Sequence, residues 1–320
     1  MILTNARILT FDAANRVILS GSVEVRADGK FGAVSDKEPT GNSGKIDAGG
    51  RLLMPALINC HTHLYSTLAR GIALGGTPPA DFLSIYAQHF DTVEVDSTYY
   101  RIPSESLVRN WRARTPPGFA FAAKFPQVIS HEKVLQNCKE EVANFLRTMS
   151  LLEDRRGPLL LQFPYFNKKA FARPGDFLDR LAPFLETLSA EFRYAVEVRN
   201  KTWVTPRLLE ILRGKNMALA LIDHPWMTPV QQLMSKQDVV TADFAYIRWL
   251  GDRKGIEEKT QHWDKVIIDR ENEMEIWVAI IRELLKRRIQ IMGYFNNHYA
   301  GFAPGSIELL GKVWERRKDL

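Results

Sequence analysis

A chain of 320 residues with 45% hydrophobic content can bury one large core, and its two cysteines are too few for a disulfide framework or a cysteine-rich zinc site. A formal charge of +6 permits an anionic partner but falls short of a dedicated nucleic-acid footprint. No apolar run reaches membrane-spanning length and Met1-Ile-Leu-Thr-Asn-Ala-Arg7 lacks the apolar core of a signal peptide, so a cytoplasmic protein with no membrane partner is expected.

Residues 1–50 read as short strands over 2–11, 17–25 and 31–34, separated by turn chemistry at Asp12-Ala-Ala-Asn15, Asp28-Gly29 and Gly41-Asn-Ser-Gly44. With no helical periodicity, this is a small β-module over residues 1–56. An apolar strand at 57–60 then runs into His61-Thr-His63. The two-residue period of a strand puts both imidazoles on one side, a geometry that suits a divalent metal such as zinc.

From Thr77 onward, strand patterns over 93–97, 119–125, 159–163, 194–198, 218–222, 244–249 and 290–295 alternate with helical stretches. The helices are expected over 81–90, 105–112, 132–152, 174–188, 206–215, 271–287 and 305–316, and the stretch 229–236 is short and poorly patterned. With the strand at 57–63 in first position, the fold expected is α/β: a TIM-type (βα)8 barrel over 57–320 with a small N-terminal β-module.

Two resemblances attach to these segments. Gly50-Arg-Leu-Leu-Met-Pro-Ala-Leu-Ile-Asn-Cys-His-Thr-His63, with the module before it, resembles the N-terminal end of the amidohydrolase superfamily over about residues 1–76. That resemblance implies two metal ligands, His61 and His63. It departs at Ala56, where that family has glycine, and the family's downstream histidines and aspartate have no counterpart here. Thr92-Val-Glu-Val-Asp-Ser-Thr-Tyr-Tyr-Arg101, Phe119-Ala-Phe-Ala-Ala-Lys-Phe-Pro126, Tyr194-Ala-Val-Glu-Val-Arg-Asn-Lys-Thr-Trp203 and Tyr294-Phe-Asn-Asn-His298 together resemble the YecE-like family, a domain of unknown function numbered seventy-two, over about residues 77–315. This second resemblance implies a (βα)8-type barrel with no assigned activity. The family's own Gly-Thr-Ser-Gly-Trp opening is absent, so the chain reads as a fusion joined near Gly75-Gly76.

A barrel gathers its strand C-termini on one face, where chemistry is placed. The candidates on that rim are Glu197, Lys124 and Asp223 for catalysis, and Glu94, Asp96, Gln162, Arg199, Arg248, Asn296 and Asn297 for ligand binding. Glu197 is the first choice as general acid or base. Arg199 and Arg248 offer planar forks to an anionic group, and Lys124 adds a point charge. Aromatic residues recur nearby, among them Tyr99, Tyr100, Trp226 and Tyr294, and serve either as packing or as stacking platforms. The leading expectation is a barrel that binds a small or polymeric anionic ligand, as a hydrolase or lyase. The alternatives are a metal-dependent amidohydrolase acting on C–N bonds and a nucleic-acid-binding protein.

Overall fold

The computed structural model describes residues 1–10, 16–26, 31–37, 44–53 and 82–317. The chain divides into two compact units, Met1–Thr62 and His63–Leu320. In the first unit, β1 (Ile2–Leu9) pairs antiparallel with β2 (Val17–Val25), which pairs with β3 (Phe31–Ser35). On its other side β1 takes two short parallel partners, β4 (Lys45–Asp47) and β5 (Leu52–Leu53). Ala6, Ile8 and Val23 form the small core of this sheet.

The second unit carries seven parallel strands in sequential order: β6 (Thr92–Val95), β7 (Ala120–Lys124), β8 (Arg156–Gln162), β9 (Tyr194–Glu197), β10 (Ala218–Asp223), β11 (Phe244–Trp249) and β12 (Gln290–Phe295). The outer strands of this sheet face one another, with Thr92 Oγ1 2.9 Å from Tyr294 OH, so the sheet is a nearly closed barrel. The strand expected at 57–63, with His61 and His63, lies outside the described residues.

Strand parity sorts the side chains into two cores. Outward residues such as Phe121, Leu159, Leu161, Val196, Leu219, Leu221 and Ile247 pack under the helices. Inward residues are alternately small and large: Ala122, Leu160, Ala195, Ala218, Ala220, Phe244, Tyr246 and Met292. This fills a barrel that tapers too tightly for large side chains on every strand. Gly157, the second residue of β8, leaves room for β7, since a Cβ there would lie 2.7 Å from the Phe121 carbonyl carbon.

The helices follow their sequence signals. Thr205 caps α6 (Pro206–Arg213) by accepting from Leu208 N at 3.3 Å, and proline sits in the first turn, where its missing N–H costs nothing. Helix α9 (Glu271–Lys286) buries Met274, Trp277, Val278, Ile281 and Leu284 at helical spacing. Helices α3 (Glu105–Ala113), α5 (Pro174–Glu186) and α10 (Ala303–Arg316) lie where the periodicity puts them. The single helix expected over 132–152 is instead a π-helical turn, Val128–Glu132, followed by α4 (Lys139–Ser150). Positive φ at Val134 (43°), Leu135 (69°) and Asn137 (49°) separates the two. Among the described residues, no helix is long and apolar enough to cross a membrane.

Candidate ligand-binding site at the barrel mouth

The inward parity that fills the lower barrel with apolar groups continues upward into charge. Glu94 on β6, Lys124 on β7, Gln162 on β8, Glu197 on β9 and Arg248 on β11 are the last or next-to-last residues of their strands and have the inward parity, and the register sets Gln162 beside Glu197. Arg248 is the hub. Its Nε and Nη2 donate to the two oxygens of Glu94 at 2.8 and 2.6 Å, and its Nη1 donates to Glu197 Oε2 at 2.7 Å. Tyr246, two residues earlier on the same face, donates its hydroxyl to Glu94 Oε2 at 2.6 Å. Arg199 Nε donates to the remaining Glu197 oxygen at 2.5 Å. The result is a ladder from Glu94 through Arg248 and Glu197 to Arg199.

This ladder reassigns two expected roles. Glu197 is fully buried, which by itself would raise its pKa. The guanidiniums of Arg248 and Arg199, aided by Lys124, outweigh burial and bring it down from 4.5 to about 2. A carboxylate ionised at all ordinary pH, with both oxygens engaged, is a poor general acid or base. Its function in the geometry is to hold two guanidiniums. Arg248 is also buried, with its fork closed on two carboxylates, so it does not offer that fork to a ligand. Arg199 differs. It is tethered through Nε alone, its side chain is 22% exposed, and its terminal nitrogens have no partner among the described residues.

Lys124 and Asp96 form a second pair at 2.5 Å. Burial pushes the Asp96 carboxyl up, but the Lys124 ammonium and, behind it, Arg248 hold it below the usual range. Asp96 stands just past β6, at the start of α2 (Ser97–Tyr100), whose Thr98 donates to the Lys124 carbonyl at 2.8 Å. The ammonium lies 5.8 Å from the centre of the Tyr99 ring, which meets His131 edge-on at 5.0 Å. His131 comes from the π-helical turn, with Nδ1 2.8 Å from Ser130 Oγ. Burial, then Lys124 and Arg199, push its pKa down, so the imidazole is neutral near pH 7. His224, just past β10, is pushed down by burial and by Arg199.

Three expected site residues are placed elsewhere. Asp223 has the parity of Leu219 and Leu221, so it faces the helix layer. There it accepts from Trp277 Nε1 at 2.7 Å and Tyr299 OH at 3.2 Å. Asn296 is folded back on His298, accepting from its backbone N at 2.9 Å. Asn297 is buried and accepts from Ala303 N at 2.7 Å at the start of α10. Gln162 lines the mouth and makes no side-chain hydrogen bond among the described residues. Tyr246 escaped the sequence reading although the parity of Phe244, Tyr246 and Arg248 exposes it. Among the described residues, no group of three or more His, Cys, Asp or Glu side chains is arranged to hold a metal ion.

Residues 69–319 match the family model described as "Protein of unknown function DUF72". The chain belongs to the DUF72 family. It is 42% identical to the UPF0759 protein YecE of Escherichia coli K12 over 118 residues, 37% of this chain and 41% of that protein. The aligned part therefore spans well under half of the curated relative's length. A DUF72 family protein of Enterococcus faecalis superposes with a TM-score of 0.56 at 22% identity, covering 73% of this chain and 93% of that one. Another DUF72 family protein, from Thermotoga maritima, gives 0.55 at 26% identity, covering 76% and 91%. A short stretch is also similar to a 5-methylthioadenosine/S-adenosylhomocysteine deaminase of Nitratidesulfovibrio vulgaris, 41% identical over 76 residues, 22% of this chain and 17% of the deaminase. The DUF72 match accords with the expected YecE-like resemblance, and the deaminase match is as short as the expected amidohydrolase-like fragment.

Proposed function

We propose that this DUF72 barrel binds a ligand through an anionic group seated on the open fork of Arg199. One observation carries the reading. Glu197, itself fixed by Arg248, grips Arg199 by one nitrogen, and the terminal nitrogens of this part-exposed side chain have no partner among the described residues. A planar fork of N–H donors fits a carboxylate or phosphate bidentately. Lys124, paired with Asp96, lies at the same mouth, and the neutral imidazole of His131 adds a proton acceptor. A hydrolase and a lyase both suit this equipment: the imidazole takes a proton from water in the first and from the substrate in the second.

The test is a calorimetric titration of the full chain with inorganic phosphate and with acetate at constant chloride. Binding to the wild type that disappears in Arg199→Ala is the expected result. Equal binding by both proteins overturns the proposal.

A further inference from the structure

We infer that the ligand of this mouth is single-stranded nucleic acid, with bases stacked on a ring of exposed aromatic side chains and the backbone held by cations among them. The inference rests on the Arg199 reading and deepens it. Among the described residues, the exposed Phe, Tyr and Trp side chains are Tyr100 at 67%, Tyr165 at 68% and Trp226 at 78%. Each stands a few residues past the end of a barrel strand: Tyr100 after β6, Tyr165 after β8, Trp226 after β10. Chance exposure would scatter such rings over the whole barrel. Here they occupy alternate loops of one face, the face where Arg199 opens.

Each ring is also tied to the charged mouth. Tyr100 meets Tyr99 edge-on at 5.2 Å, and Tyr99 lies beside Lys124. Tyr165 precedes Phe166, whose backbone N and O are clamped by the side chain of Asn200 at 2.9 and 2.8 Å. Asn200 is the residue after Arg199. The Trp226 ring lies 5.3 Å from that of His224, which feels the Arg199 charge. Three large exposed rings offer apolar area that a ligand gains by covering.

The chemistry of the occupant follows from charge and spacing. Neighbouring strands sit about 4.8 Å apart, so alternate loops begin about 10 Å apart around the mouth. Platforms that far apart serve a ligand with several planar units. Lys168 and Lys169 are exposed three and four residues after Tyr165, so cations stand close in sequence to one of the rings. A neutral oligosaccharide uses rings but not cations, and a ring-free polyanion uses cations but not rings. Single-stranded nucleic acid uses both.

The experiment measures fluorescence anisotropy of a labelled oligothymidylate about 12 nucleotides long, inside the range of about 4–16 seen for single-strand sites. Full-length protein is compared with Tyr100→Ala, Tyr165→Ala and Trp226→Ala, whose exposed rings can be removed without disturbing the fold, as circular dichroism would verify. Each substitution is expected to weaken binding about five- to a hundred-fold. Three contacted phosphates give a log–log salt slope of about −2. Polyphosphate and a duplex of equal length should compete poorly. No binding, equal competition by polyphosphate or duplex, or indifference to all three substitutions overturns the inference. If inorganic phosphate still binds through Arg199 in that event, the anion-site proposal stands and only its extension to nucleic acid fails. If phosphate does not bind either, both fail.

Discussion

Replacing Glu197 by glutamine keeps the shape of the side chain and removes the charge that ties Arg248 to Arg199. The amide must point its NH2 at one of two guanidiniums, so at least one donor faces another donor in a buried site. Breaking one partner out of a buried ion pair costs about 3–5 kcal/mol. The pH dependence isolates this residue. Its folded pKa is depressed from 4.5 to about 2, so its contribution is full above about pH 4.5 and is lost as pH falls toward 2. That depression corresponds to about 3 kcal/mol at pH 7, of which about 2 kcal/mol is gone by pH 3. The gap between wild type and Glu197→Gln should therefore narrow by about 2 kcal/mol from pH 7 to pH 3. Urea unfolding followed by tryptophan fluorescence measures it, because all seven tryptophans fall between Trp111 and Trp314, within the barrel. A gap that stays constant with pH would refute the charge ladder.

Asp223→Asn should lower stability by about 1–3 kcal/mol through its bonds to Trp277 and Tyr299, yet leave phosphate affinity unchanged, as calorimetry would check. A loss of affinity comparable to that of Arg199→Ala would return Asp223 to the mouth. The NMR titration midpoint of His131 should lie below its usual 6.5 and rise in Lys124→Met, because burial and then the Lys124 charge hold it down. The sign for stability is fixed: a depressed histidine favours the folded state fully above about 6.5 and loses that contribution on acidification. An unmoved midpoint would show that Lys124 does not face the ring.

The barrel was legible in the sequence because its signals are local. Strands β11 and β12 begin and end where their apolar runs do, and Pro206 after Thr205 marks the start of α6. Short pieces gave no period to read. The five-residue α8 (Arg253–Glu257) is too short to show a helical period, and so is α7 (Val230–Met234) within the poorly patterned stretch 229–236. The site was legible as a set of residues and not as a wiring diagram. Glu94 and Arg248 lie 154 positions apart, and nothing in either segment says that one will close the other's fork. Asp223 failed for a different reason. It ends its strand as Glu197 does, but Ile222, one residue earlier, takes the inward position. Counting parity back from Ala218 and Ala220 would have excluded it.

The charges at this mouth balance, and that decides what the site can recognise. Glu94 and Glu197 neutralise Arg248 and Arg199, and Asp96 neutralises Lys124. Net positive potential is therefore a weak source of affinity for a small ligand. What remains uncompensated is direction: a guanidinium fixed by one nitrogen presents its other N–H groups in a rigid plane. Lysine at this position would carry the same charge with no fork. If shape is the determinant, Arg199→Lys should bind phosphate as poorly as Arg199→Ala, and chloride should compete weakly with phosphate in the wild type. If charge alone matters, Arg199→Lys should recover most of the affinity in the same calorimetric titration. Recovery by lysine would mean that Glu197 merely neutralises Arg199, and that the tether from Arg248 through Glu197 has no part in recognition.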